Sequence, residues 1–189
     1  GVLTPAAGPF TVPLTGTTVV NNEFDPADER TYNHATSTTI FDSLGNSHIL
    51  TMYFVKEAAA SANTASNNWT MYTLVDGNDV GDPLTPGDSP TRQGFRLTFD
   101  QDGTLDPNSS DQVVITNWQP LDSEGEQSGA DGPLNRTGVD PEALITDPPT
   151  SSNFALDITN ITQYGSSFSV LDLQQDGYTT GEINGLDVA

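Results

Sequence analysis

TTIFDSLGNSHILTMYFV, residues Thr38–Val55, reads as two strands joined by a tight turn. Thr38–Phe41 and Ser47–Val55 are rich in β-branched, aromatic and aliphatic side chains, the residues that suit a pleated, half-buried surface. Between them lies Asp42-Ser43-Leu44-Gly45-Asn46. Gly45 and Asn46 tolerate positive φ, so one of them is expected to supply it, and the segment predicts a β-hairpin.

The same pattern repeats outward from this hairpin. Trp69–Val75 is a third strand, with Met71, Thr73 and Val75 on one face and Thr70, Tyr72 and Leu74 on the other. Phe95, Leu97 and Phe99 alternate with Arg96 and Thr98, which predicts a strand with one buried face. Asp102-Gly103 turns into Thr104-Leu105, and Gln112–Trp118 reads as a further strand. Phe154, Leu156 and Ile158 alternate again, as do Phe168 with Val170 and Leu171 with Leu173. Gly, Pro, Asn and Asp punctuate these runs. The expectation is an all-β fold: a single β-sandwich or partly closed β-barrel of about seven or eight mostly antiparallel strands with long polar loops.

Helix signals are poor. Lys56–Ala65 (KEAAASANTA) has helix-favouring composition without an amphipathic period, and reads as a loop or a single helical turn. Phe24–Asn33 carries Asp-Pro turn chemistry followed by acidic residues that can start one short helical turn. Residues 1–23 read as an extended segment in which Thr17–Val20 would be an edge strand. Residues 76–92 are a long polar loop, and 119–150 is turn-rich, acidic and by composition the least ordered stretch.

The 189 residues include 5 Lys and Arg against 26 Asp and Glu, a net charge of −21, with 34% hydrophobic residues. Five basic residues cannot build the positive face that nucleic acid or anionic lipid requires, so neither is an expected partner. There is no cysteine, which excludes disulfides, thiolate metal sites and thiol nucleophiles. No apolar run approaches the roughly 18 residues of a membrane span. Without an initiator Met, the chain is expected to be a piece of a longer protein.

Constellations that carry chemistry are weak throughout. Asp100-Gln101-Asp102-Gly103-Thr104-Leu105-Asp106 resembles a calcium loop at first sight, but an EF-hand needs Gly at position 6 and Glu at position 12. Here Gly stands at position 4 and Asp111 at 12; the segment reads as a β-turn, as does Asp176-Gly177. His34 and His48 are the two imidazoles, and neither sits in a ligand-spaced cluster. Tyr164-Gly165-Ser166-Ser167 lacks the nucleophile-elbow pattern. Trp69, Trp118 and Tyr53 could stack on sugars, but each lies in strand-like sequence where core packing is the commoner fate. The four sequons, at Asn68, Asn108, Asn135 and Asn160, are as expected by chance in a chain this rich in Asn, Ser and Thr. The residues therefore predict no catalytic, cofactor-binding or metal site, and no enzyme.

One resemblance is more specific than any of these motifs. FDPADERTYNHATSTTIFDSLGNSHILTMYFVK, Phe24–Lys56, resembles a segment of bacterial flagellar hook proteins in which F-D-P-x-D-x-x-x-Y-N leads into a strand, a D-S-x-G-N-x-H turn and a Y-F-V-K strand end. Asn68-Trp69, Tyr72 and the L-x-F-x-x-x-G-T-L run at Leu97–Leu105 also fit. So does ITQYGSSFSVLDLQQDGYTTGEINGLDV, Ile161–Val188, except that Ile183 stands where the pattern has Leu.

The resemblance implies a structural role. Residues 24–173 would be the outer β-domain of a hook subunit, and 174–189 the start of the return to its middle domain. The partners would be other copies of the same subunit in a helical tube, with the isolated fragment monomeric because the terminal helices of the polymerising core are absent. It implies an extracellular location, reached through the flagellar secretion apparatus, and a hook that bends as a universal joint. Some spirochaete members cross-link subunits through a Cys and a Lys; this chain has no Cys to contribute. The competing expectation is a secreted carbohydrate-binding or adhesin-like β-sandwich, which requires an exposed aromatic platform where the hook reading requires Trp69 and Trp118 to be buried.

Overall fold

A computed structural model describes residues 23–57, 67–83, 85, 87–134 and 139–162. Seven strands and two short 3-10 turns make up its regular structure, so the all-β expectation holds. The strands are β1 (His34–Phe41), β2 (Ser47–Lys56), β3 (Asn68–Val75), β4 (Asn78–Asp79), β5 (Gly94–Thr98), β6 (Val113–Ile115) and β7 (Phe154–Leu156). They form two antiparallel sheets rather than a closed barrel. In the larger sheet β1, β2 and β3 lie side by side, and β5 and β4 share the far edge of β3 in succession. β6 and β7 form the smaller sheet.

The hairpin at Thr38–Val55 forms as expected, with Gly45 at φ 82°. Asp42 caps the turn: its Oδ1 accepts the backbone N–H groups of Leu44 and Asn46, each at 2.9 Å. β1 begins four residues earlier than the sequence pattern indicates, at His34. Register explains the extension, since His34 pairs with Phe54 and Asn33 N–H donates to Phe54 O at 2.8 Å. β1 is the last strand of its sheet among the described residues, and Ser37 and Thr39 on its outer face are exposed.

Pairing register sorts the side chains onto two faces. Ile40, Leu50, Met52, Phe54, Trp69, Met71, Val75, Phe95 and Leu97 point inward and are buried. They meet Val113, Ile115, Phe154 and Leu156 of the smaller sheet in one continuous core, which Trp118, Ile158 and Ile161 complete. This is sheet-on-sheet packing. On the opposite face Phe24 stacks on Tyr72, ring centroids 4.3 Å apart, and packs against Tyr32 and Tyr53. That cluster buries Val55 and Leu74 from the outside.

Three sequence expectations change. The strand expected over Gln112–Trp118 is confined to Val113–Ile115. Beyond Ile115 side chains replace the backbone ladder: Thr116 Oγ1 donates to Asp82 Oδ2 at 2.7 Å and Asn117 Nδ2 to Gly81 O at 3.1 Å. The polar loop 76–92 contains a two-residue hairpin, because Asp76 (φ 49°) and Gly77 (φ 77°) turn β3 into β4. Positive φ at both central residues is the hairpin turn that matches strand twist.

Within 119–150, Leu121 bridges Gln127, Pro141–Leu144 forms a 3-10 turn, and Leu144 is buried. Asn153 ties that segment down, donating to Leu134 O at 2.6 Å and accepting from Leu134 N–H at 3.0 Å. The readings at Thr17–Val20, at 58–65 of the Lys56–Ala65 run, and at Tyr164–Ser167, Phe168–Leu173 and Asp176-Gly177 lie outside the described residues.

Much of the acidity is turn chemistry. Asp25, Asp28, Asp42, Asp102, Asp106, Asp122, Asp140 and Asp157 each accept the backbone N–H two residues on. A carboxylate placed this way replaces a backbone partner and fixes a bend.

Candidate functional site

An enclosed polar cluster lies where the β1–β2 and β3–β4 turns meet. His48, the second residue of β2, points inward because it pairs with Ile40, and 4% of its side chain is exposed. Its Nδ1 stands 2.7 Å from Asp76 Oδ2 and its Nε2 3.4 Å from Asp42 Oδ2. The Asp42 carboxyl is wholly buried. The ring of Trp118 packs edge-on against the imidazole, centroids 5.1 Å apart.

Asp42 is held charged by its surroundings. Burial works against ionisation, but hydrogen bonds from the Asn46 side chain and backbone, from His48 and from Leu44 N–H outweigh it. Its carboxyl therefore lies below the ordinary carboxylate range. Ser128 Oγ reaches the same oxygen at 3.3 Å, and Asp131 N–H donates to Ser43 Oγ at 2.8 Å, so the 119–134 segment is fastened to this turn.

The order of groups decides what the cluster can do. The hydroxyl of Ser128 is bonded to the Asp42 carboxylate rather than to the imidazole, so the hydroxyl–imidazole contact that activates a serine nucleophile is not formed. Both ring nitrogens of His48 face carboxylates, which fills the positions a substrate or metal would need. Among the described residues no group of three or more His, Asp or Glu is placed to hold a metal ion. The geometry fastens three chain segments at one end of the sandwich.

The remaining sequence candidates are scattered. His34 opens β1, its ring 6.2 Å from that of Phe54. Asp100 and Asp102 build the expected turn: Asp100 O accepts Gly103 N–H at 2.9 Å, and Asp102 Oδ1 accepts Thr104 N–H and Oγ1 at 3.0 and 2.7 Å. Asp111 accepts from Arg96. Trp69 and Trp118 are 0% and 5% exposed, so neither offers a face to a sugar. Tyr53 is half-buried in the Phe24 cluster. The link from His48 to Asp76 was missed by sequence reading; the Asp76-Gly77 turn dipeptide was its only signal.

The basic residues among those described are also committed. Arg30 pairs with Asp28, Arg92 with Asp79 and Arg96 with Asp111. Lys56 is buried, its Nζ 5.6 Å from the Trp69 ring centroid, and desolvation lowers its pKa. No helix among the described residues is long and apolar enough to cross a membrane.

Comparison with known proteins places this architecture. Residues 13–178 match the family described as flagellar basal body protein FlaE D2 domain. The flagellar hook protein FlgE of Salmonella typhimurium (strain LT2) is 27% identical over 161 residues, which is 85% of this chain and 30% of that protein. The flagellar hook protein FlgE of Escherichia coli (strain K12) is 37% identical over 82 residues, 43% of this chain and 17% of that protein. The chain thus spans less than a third of the length of these curated relatives.

Proposed function

The chain belongs to the flagellar basal body protein FlaE D2 domain family, and from that premise we propose that it is a structural domain of a flagellar hook subunit. Residues 24–173 form the outer part of that subunit, and 174–189 lead back toward its middle domain. The partners are other copies of the same subunit, arranged helically in an extracellular hook after export through the flagellar secretion apparatus. The observation that carries this reading is the family match across residues 13–178.

The role is mechanical. A curved rotating tube brings each subunit alternately to the inner and outer side of the bend, so contacts between outer domains must slide or re-register on every turn. A dry apolar interface would lock one register, whereas polar, hydrated contacts allow several of similar energy. A rigid body is needed behind those contacts. The two-sheet core and the His48 fastening supply it.

Deleting the domain from the full-length subunit tests the proposal. Hooks should still assemble, because the tube wall is built elsewhere in the subunit, but their curvature or stiffness should change. Straight-line swimming on hooks of unaltered curvature after the deletion would overturn it. Single changes at His34, Asp100 or Asp102 should leave motility nearly intact, since sliding contacts spread small energies over many residues.

A further inference from the structure

Along its far edge β3 changes partner, and Thr73 falls in the break. Residues 68–72 pair with β5, ending at Tyr72 opposite Gly94, whereas Leu74 and Val75 pair with β4. Carried one step past Tyr72 and Gly94, the register sets Thr73 across from Gln93. Both positions belong to the core face. Thr73, itself 0% exposed, alternates with the buried Met71 and Val75, and Gln93 alternates with the buried Phe95 and Leu97. Arg92, beside Gln93, turns the other way, to Phe24 O and Asp79. The segment returning from β4 presses on the stem of Gln93, since a Cβ on Gly81 would stand 2.7 Å from Gln93 Cβ.

Thr73 Oγ1 and Gln93 Oε1 are both buried, and neither has a hydrogen-bond partner in the protein. Each oxygen gives up the bonds it makes to water in the unfolded chain, and buried polar groups of native proteins are rarely left in that condition. The two share one cross-strand position, where opposed Cβ atoms stand about 5 Å apart, which points to a common partner. We propose that a buried water molecule bridges Thr73 Oγ1 and Gln93 Oε1 and fills the break between β4 and β5. The amide oxygen of Gln93 only accepts, so the water donates one hydrogen to it. The Thr73 hydroxyl both donates and accepts, so it meets the water in either sense. Two neutral oxygens on a face formed with Met71, Val75, Phe95 and Leu97 offer no charge to hold an ion, whereas a water is retained by two such partners. The bridge continues the joining of β3 to β5 past Gly94, where backbone pairing stops.

Two measurements on the chain test the site. A crystal structure at a resolution that shows ordered solvent should place one water within hydrogen-bond distance of both oxygens. Thermal melts supply the second. Thr73→Val keeps the shape of the side chain and removes its hydroxyl, and Gln93→Met keeps the length and removes the amide. Each should lower the melting temperature by about 2–4 °C, and the double variant should lose less than the two singles together, because both act through the same water. Without a bridging water, Thr73→Val removes an unpaired buried hydroxyl and should melt at or above the parent chain, and that result would overturn the proposal. So would a map in which the two oxygens bond each other or other protein groups directly, or in which no water touches both.

Discussion

His48 Nδ1 lies 2.7 Å from Asp76 Oδ2, and this contact joins the start of β2 to the turn that ends β3. Asp76 is the one non-glycine residue with positive φ among those described, at 49°. Its second carboxylate oxygen accepts Ile49 N–H at 2.8 Å. A left-handed backbone that costs an L-residue about 1 kcal/mol or more is thus held in place by two hydrogen bonds from the neighbouring strand.

Substitutions at Asp76 should rank accordingly. Asp76→Asn retains an acceptor for Ile49 N–H and should destabilise least. Asp76→Gly loses both hydrogen bonds but none of the backbone compatibility. Asp76→Ala loses both and keeps the strain, so it should be worst, by roughly 3 kcal/mol in all and about 1 kcal/mol beyond Gly. Denaturant midpoints that place Ala equal to or above Gly would contradict the account of this turn.

Gly45, at φ 82°, closes the β1–β2 hairpin. Gly45→Val should lower stability by about 1–2 kcal/mol, because a β-branched side chain meets the following carbonyl in the left-handed region. A thermal melt unchanged from the parent chain would show that the turn can be rebuilt without positive φ.

Acid should loosen the same end of the molecule. The Asp42 carboxyl is depressed in the folded state. Its contribution is therefore fully present above the ordinary value of 3.8 and is lost as pH falls through the lower folded value. Asp42→Asn should cost about 2 kcal/mol at neutral pH and flatten the acid limb of a stability–pH curve. An acid limb of unchanged slope in this variant would assign the pH dependence to other carboxylates.

Much of this architecture was legible in the sequence. The Thr38–Val55 hairpin, the Met71/Thr73/Val75 face and the Phe95/Leu97 alternation follow from a side-chain period of two and a turn dipeptide, both local signals. Less legible were features set by partners far along the chain. Thr116 and Asn117 leave the strand because Asp82 and Gly81 accept their side chains. The acidic 119–150 segment takes its shape from Asp122 bonding its own backbone and from Asn153. The Asp76-Gly77 turn is masked in the sequence by the polar residues after it, which resemble a loop. No local pattern in the sequence announces that the buried imidazole of His48 lies between two carboxylates; only the fold brings Asp42 and Asp76 together.

Salt should stabilise the domain. With net charge −21 and the described basic residues already engaged, most remaining electrostatics is repulsion. Screening shortens from about 10 Å at 0.1 M to about 3 Å at 1 M salt, so the melting temperature should rise across that range. A flat or falling trend would mean that the carboxylates are spaced widely enough not to repel one another.

The measurement that bears most directly on the central claim is electron microscopy of native hooks at a resolution that separates domains. The account predicts that this two-sheet domain fits density in the outer shell. Hooks whose outer shell has no density that accommodates the domain would contradict it.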